Sequence, residues 1–263
     1  MPTSGTTTPT NHFKQRLTGG VQYGLWLGLA DPVAAEITAG AGFHWLTIDQ
    51  EHAPNDVRTT LAQLQAIAPY PVEPIVRPLR SERSLVKQAM DLGARTIIAP
   101  MIDTAEHAAE MAAAVHYPPT GVRGVASARA ARWGRTTDHW TRADAEACLI
   151  VQVESLAAAD SIDEIASVDG VDALFVGPSD LGAALGHLGQ ANHPEVRTAV
   201  VETISAIRAA GKPAGVLATT PELVHEYVAA GASFVGVGVD TMVLARATSD
   251  LCDRFTKPSD NHG

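Results

Sequence analysis

The sequence predicts a closed (β/α)8 barrel, and three observations point to it. Short apolar segments recur eight times along the chain, the stretches between them carry apolar residues at three- and four-residue spacing, and 263 residues is a length that one such barrel fills. Strands apolar on both faces and separated by helices belong in a parallel sheet covered by helices, because each face must be buried. Eight such units fit a closed barrel better than an open sheet.

In chain order the expected strands are GLWLGL (24–29), FHWLTID (43–49), PIVRP (74–78) and RTIIAPM (95–101). Then come LIVQVE (149–154), ALFVGP (173–178), PAGVL (213–217) and FVGVGVD (234–240). PVAAEITAGAG after the first, VRTTLAQLQAIAP after the second and LVKQAMDLGA after the third have helical patterns, and Gly or Pro tends to punctuate the ends of such stretches. No linker interrupts the series, so residues 18–263 are expected as one domain. Residues 1–17 begin MPTSGTTTPTNH, polar and rich in Thr and Pro, and are expected as a flexible tail. One stretch is irregular: across 115–147, Pro, Gly and the arginines Arg123, Arg129, Arg132 and Arg135 replace clean periodicity. A long loop in a compact fold is a functional element, an interface or a solvated excursion.

Composition narrows the function. The chain is 46% hydrophobic with mean hydropathy +0.04, enough for a large core, and has no apolar run of membrane-spanning length. A net charge of −10 with 18% charged residues argues against nucleic acid, which needs clustered Lys and Arg. Cys148 and Cys252 lie far apart in no metal-ligand spacing, so neither a disulfide framework nor a zinc site is indicated. With no basic start and apolar core of a secretory signal, the cytoplasm is the expected location.

In a barrel of this kind the reactive groups stand at the C-terminal ends of the strands. Asp49, Glu51 and His52 follow the second strand, Arg77 ends the third, Gln152 and Glu154 end the fifth, and Gly177, Pro178, Ser179 and Asp180 follow the sixth. Gln152 and Glu154 share one side of their strand by its period of two, and a carboxylate pointing into a barrel needs a cation or a donor. Glu154 and Asp180 are placed to share one divalent ion; the bland alternative for Glu154 is an ion pair with Arg77. Asp49 and His52 admit a carboxylate–imidazole pair that would hold a general base. Glu51 is expected to cap the next helix or face solvent. Arg77, in an otherwise apolar strand, calls for an anionic partner, either substrate or carboxylate. GPSDLG is either an anion-holding turn or an ordinary βα turn capped by Asp180.

At these residues the chain resembles the metal-dependent (class II) pyruvate aldolases of the HpcH/HpaI family, 4-hydroxy-2-oxoheptanedioate aldolases within the phosphoenolpyruvate/pyruvate TIM-barrel superfamily. IDQEHAPND, PIVRP, RGVASARAARWGR, VQVES, FVGPSDLG and GVGVD occur in order over nearly the full length. The resemblance implies Glu154 and Asp180 as ligands of Mg²⁺, Mn²⁺ or Co²⁺, with Gln152 beside them. It makes Arg77 the stabiliser of the enolate, His52 the acid/base group and Asp49 its orienting partner. It also implies that Asp91 is linked to the same histidine across a subunit contact and that the backbone amides of Ser179 and Asp180 grip the pyruvate carboxylate. Trp26 and Leu217 are candidates for shaping the aldehyde end. The family further implies a hexamer of dimers that exchange terminal helices, placing TMVLARATSDLCDRF against a neighbour. Gln50, where glycine is expected, and Ser179, where alanine is frequent, depart from the pattern without removing a chemical group.

The activity so implied is reversible cleavage of 4-hydroxy-2-keto acids to pyruvate, or a close 2-oxo acid, and an aldehyde. A Schiff-base route is disfavoured, since none of Lys14, Lys87, Lys212 and Lys257 falls at a strand's C-terminal end. An acyl-CoA lyase of the malyl or citramalyl type shares the barrel and metal pair but needs basic groups for its nucleotide. A catalytically silent oxo-acid-binding barrel is a third reading.

Overall fold

A computed structural model describes residues 6–257 of the chain. It begins with α1 (His12–Arg16), β1 (Gln22–Leu27), α2 (Pro32–Ala39), β2 (Trp45–Asp49), α3 (Val57–Ile67), β3 (Glu73–Arg77), α4 (Arg83–Asp91), β4 (Thr96–Ala99) and α5 (Ala105–Val115). A 3-10 turn (Arg129–Gly134) and α6 (His139–Glu146) lead to β5 (Cys148–Val153), α7 (Leu156–Asp160), α8 (Ile162–Ala166), β6 (Ala173–Val176) and α9 (Pro178–Ala184). The chain continues through α10 (Pro194–Ala209), β7 (Ala214–Leu217), α11 (Pro221–Ala229), β8 (Ala232–Val239) and α12 (Asp240–Thr256). All eight expected strands form, each parallel to its neighbour, and β8 closes on β1.

Local chemistry sets the helix starts. Asp31 caps α2 by accepting from the N–H groups of Val33 and Ala34, with Pro32 as first helical residue. Asp56 and Thr59 form a reciprocal capping box on α3, and Thr104, Ser155 and Thr220 cap α5, α7 and α11.

Two apolar layers result, one between sheet and helices and one inside the barrel. Inside, large rings meet residues without side chains. A Cβ on Gly24 would come within 2.1 Å of the Trp45 ring, and one on Gly215 within 2.1 Å of the Phe234 ring. Glycine at these positions is therefore a packing requirement.

The N-terminal segment departs from expectation. Residues 12–16 are helical, and Phe13 is fully buried, set edge-on to Phe234 at 5.3 Å and to Trp45 at 6.3 Å between centroids. Asn11, also fully buried, gives its backbone N–H to Glu146 Oε2 (2.6 Å) and its side-chain amide to Thr96 Oγ1 (2.9 Å). The described part of the expected tail thus plugs the barrel's N-terminal end. A polar composition hid the single aromatic anchor that orders it.

The far end of the chain does the reverse. Asp240 is buried and accepts from the N–H of Gly28 at 2.7 Å, but every residue from Met242 to Lys257 is exposed. Among them are Met242, Val243, Leu244, Leu251 and Phe255, the last 83% exposed. The helix therefore leaves five large apolar side chains uncovered among its charged ones.

Candidate active site

At the C-terminal ends of the strands lies an open hollow of about 640 Å³, part of it continuous with solvent. Trp26 from β1, Arg77 from β3, Gln152 and Glu154 at β5, Phe175 from β6 and Leu217 from β7 form its floor and walls. His52, Ser179 and Asp180 stand in the loops above.

Arg77 is the organising cation. Its Nε donates to Asp49 Oδ1 (2.8 Å) and its Nη2 to Asp49 Oδ2 (2.7 Å), a bidentate pair. Its Nη1 lies 2.8 Å from Glu51 Oε2, a charge contact without hydrogen-bond alignment, and donates to Gln152 Oε1 at 3.4 Å. The guanidinium carbon sits 4.4 Å from the Trp26 ring centroid. β2 and β3 pair with Asp49 opposite Arg77, so strand register alone brings the two together.

Two carboxylates near His52 take partners the local sequence did not indicate. No hydrogen bond or ion pair among the described residues joins Asp49 to the His52 imidazole: Asp49 holds Arg77 and accepts from the backbone N–H groups of Glu51 (3.0 Å) and His52 (3.4 Å). Glu51, expected as a cap or solvent-facing group, is instead the carboxylate beside His52, with Oε2 at 3.8 Å from Nε2. Burial pushes the Glu51 carboxyl up, against the lowering pull of Arg77 and His52. The sequence signal was present, since two acids flanking a strand end face the one arginine across the sheet.

Glu154 is 4% exposed and does not pair with Arg77. Its Oε1 accepts from the N–H of Met101 (2.7 Å) and its Oε2 from Gln152 Nε2 (2.7 Å). Burial first, then the charges of Glu51 and Asp180, push its carboxyl up to about 7. Met101 reaches it from a left-handed conformation at φ 52°, uncommon outside glycine. Gly177 is needed too, since a Cβ there would lie 2.7 Å from Glu154 Oε2. Neither Met101 nor Gly177 was assigned a site role by the sequence reading, because the approach is visible only in three dimensions.

Asp180 and Ser179 occupy the first turn of α9, where helical N–H groups have no intrahelical partner. A Cβ on Gly236 would approach Trp26 Nε1 at 2.9 Å and Leu217 Cδ1 at 3.1 Å, so Gly236 makes room for both walls. Asp91 stands apart at the end of α4, with its Oδ1 3.9 Å from Arg123 Nη2, and no hydrogen bond or ion pair among the described residues joins it to His52. His187 and His193, in the connection from α9 to α10, cluster separately with Glu195 in the first turn of α10.

The 115–147 stretch does not reach this hollow. Thr136 bridges to Thr6, Arg129 donates to Leu92 O, and Arg123, Arg129 and Arg132 lie beside Ala94, Arg95 and Ala147, at the N-terminal end of the strands. Of the lysines, Lys212 donates to Val171 O (2.5 Å) and Lys14 to Ala147 O (2.5 Å) at that same end.

A parallel eight-stranded barrel with a buried carboxylate after one strand, a second acid in the helix that follows the next strand and a fixed guanidinium at the strand ends has the parts of an enzyme acting on a small anion. The chain belongs to the HpcH/HpaI aldolase/citrate lyase family, whose description matches residues 22–247. It is 52% identical over 250 residues to the hydroxypyruvate/pyruvate aldolase of Pseudomonas aeruginosa, covering 94% of this chain and 93% of that one. It is 50% identical over 249 residues to the 2-keto-3-deoxy-L-rhamnonate aldolase of Shigella sonnei (strain Ss046), with 94% and 93% covered. A solved HpcH/HpaI aldolase/citrate lyase family protein from Burkholderia cenocepacia J2315 superposes with a TM-score of 0.89 at 44% identity, over 93% of this chain and 99% of that one. Among the described residues no helix is long and apolar enough to cross a membrane.

Proposed function

We propose that this chain is a divalent-metal-dependent aldolase that reversibly cleaves 4-hydroxy-2-oxo acids into pyruvate, or a close 2-oxo acid, and an aldehyde. The observation that carries this is the buried Glu154 carboxyl, raised to about 7 by burial and by Glu51 and Asp180, in a hollow walled by Arg77. A site that gathers acids and keeps them from water fits a hard cation, and Mg²⁺, Mn²⁺ or Co²⁺ would be held by Glu154 and Asp180. When bound, such a cation supplies Lewis acidity beside the keto oxygen of an oxo acid.

The chain's own groups do the rest. First-turn N–H groups of Ser179 and Asp180 hold the substrate carboxylate. Arg77, locked by Asp49 and lying over Trp26, keeps positive charge where the keto oxygen becomes negative. His52 on the rim takes the proton from the C4 hydroxyl as the C3–C4 electron pair moves toward the keto group, releasing an aldehyde. Protonation of the remaining enolate at C3 gives pyruvate. Trp26 and Leu217 bound the aldehyde end. Relatives of similar identity differ in their named substrates, and we assign the choice of aldehyde to these two walls. The basic groups lining the hollow are Arg77 and His52, which does not suit the nucleotide of an acyl-CoA lyase.

Pyruvate release from a panel of 4-hydroxy-2-oxo acids, with and without EDTA, tests the reading. Activity on at least one donor, lost with EDTA and restored by Mg²⁺, Mn²⁺ or Co²⁺, is expected; full turnover by the metal-free protein would overturn it. His52→Ala should keep wild-type Mn²⁺ affinity and lose at least about 100-fold in kcat. Unchanged kcat removes His52 from its role.

The exposed apolar residues of α12 support assembly of copies, as a trimer of dimers exchanging these helices. Asp91, whose Oδ1 is buried without a hydrogen-bond partner among the described residues, would then meet a neighbour's His52. Leu244→Glu is expected to shift the protein to smaller species in sedimentation velocity; wild-type protein that sediments as a monomer contradicts the assembly. Cys148 and Cys252 as free thiols accord with the cytoplasm.

A further inference from the structure

A second hollow, a tight one with a cavity volume of about 60 Å³, lies at the barrel's opposite end. Ala94 and Arg95 just before β4, Ala147 just before β5, and Thr8 and Pro9 of the N-terminal segment help to line it. Its distinguishing feature is nitrogen: Arg95, Arg123, Arg129, Arg132 and His139 all face it.

Arg95 pairs through one terminal nitrogen with the buried Glu73 carboxylate, but other donors here lack acceptors. Arg123 and His139 are each 4% exposed, yet Arg123 Nε and His139 Nδ1 find no hydrogen-bond partner among the described residues, and nor does Arg95 Nε. Arg123 lies 4.4 Å over the Tyr117 ring and 3.9 Å from its nearest carboxylate, Asp91. Arg129 donates to two neutral carbonyls, Leu92 O and Leu64 O.

The one carboxylate lining the hollow, Glu146, has both oxygens committed, Oε1 to Arg142 (2.6 Å) and Oε2 to the Asn11 N–H (2.6 Å). Nearby acids are committed as well: Asp138 accepts from the Thr8 N–H (2.7 Å) and Asp144 from the Tyr117 N–H (3.0 Å). Tyr117 Oη stands 3.2 Å from His139 Nε2 and can donate to it, which leaves the proton on Nδ1. Burial and the charge of Arg123 hold His139 below its ordinary value, as expected where positive charge is in excess.

Buried donors without acceptors, charged ones above all, are costly, and a ligand made only of acceptors removes the cost. We propose that this hollow binds a small oxyanion, a phosphate or the carboxylate group of a short organic acid. Guanidinium groups match both in geometry. Ala143 and Met90 add an apolar wall that limits the ligand to a small size. Arg123, Arg129 and Arg132 of the 115–147 stretch then have a function: the anion joins that stretch to the N-terminal segment and to the start of β4, away from the catalytic mouth.

The test is isothermal titration of the full-length protein with phosphate and, separately, with succinate. Ionic strength is kept constant with chloride, and the mouth is kept occupied by saturating Mg²⁺ and pyruvate. Saturable binding of one anion per chain is expected, with displacement of the His139 imidazole resonances. Ala143→Leu narrows the hollow without changing its charge, and Arg132→Glu reverses an exposed charge at its edge. Each should weaken binding by at least about tenfold, ~1.4 kcal/mol. The stronger of the two anions identifies the source. Absence of saturable binding by either anion, unmoved His139 resonances, or wild-type affinity in either folded variant would overturn the proposal; should Ala143→Leu not fold, Arg132→Glu decides alone.

Discussion

Glu154→Gln abolishes divalent-metal retention and, with it, pyruvate release. The substitution keeps the shape of the side chain and an acceptor for the Met101 N–H, now 2.7 Å from Oε1. It removes the charge and sets an amide against Gln152 Nε2, now a donor to Oε2 at 2.7 Å. Loss of partners that merely support a metal ligand costs about 10–100-fold in affinity, so loss of a ligand is expected to exceed about 100-fold. Titration of Mn²⁺ into wild type and variant, beside pyruvate-release assays at saturating metal, measures both effects. Glu154→Gln protein that binds Mn²⁺ as tightly as wild type would sink the metal assignment. Comparison with His52→Ala separates the roles, since only Glu154→Gln should alter metal affinity.

Phe13→Ala is expected to cost about 3–5 kcal/mol in unfolding free energy, the range for deleting a fully buried aromatic side chain. Phe13 sits at 0% exposure against Trp45 and Phe234 on the barrel's inner axis, and little can collapse into the space it would leave. Against a total stability of about 5–15 kcal/mol, this is a large fraction. Urea unfolding at fixed protein concentration is the measurement. A change below about 1 kcal/mol would mean that the N-terminal segment is dispensable to the barrel.

Much of the architecture was legible because it depends on local pattern. Eight apolar runs and the intervening helical periodicity name the strands and their covering layer, and the strand ends then name Arg77, Gln152, Glu154 and Asp180 as neighbours in one hollow. Who pairs with whom was less legible. Asp49 and His52 are three residues apart, and proximity in sequence argued for their pairing; strand register set Asp49 opposite Arg77 instead. Glu51 was read as solvent-facing because nothing local shows that Arg77 Nη1 reaches it. Likewise Phe13 is one aromatic in a polar stretch, and its destination is the barrel's interior, assembled from residues far along the chain.

By itself, then, the sequence determined a parallel barrel, the face on which its chemistry stands and the residue types gathered there, since periodicity and strand polarity are properties of contiguous residues. Only the tertiary structure decided the division of carboxylates, Asp49 and Glu51 to the guanidinium and Glu154 to Met101 and Gln152. It alone sent the 115–147 arginines to the opposite end and the N-terminal segment into the core. Such choices turn on register, burial and charge balance between segments tens to more than a hundred residues apart, and those are settled only when the barrel closes.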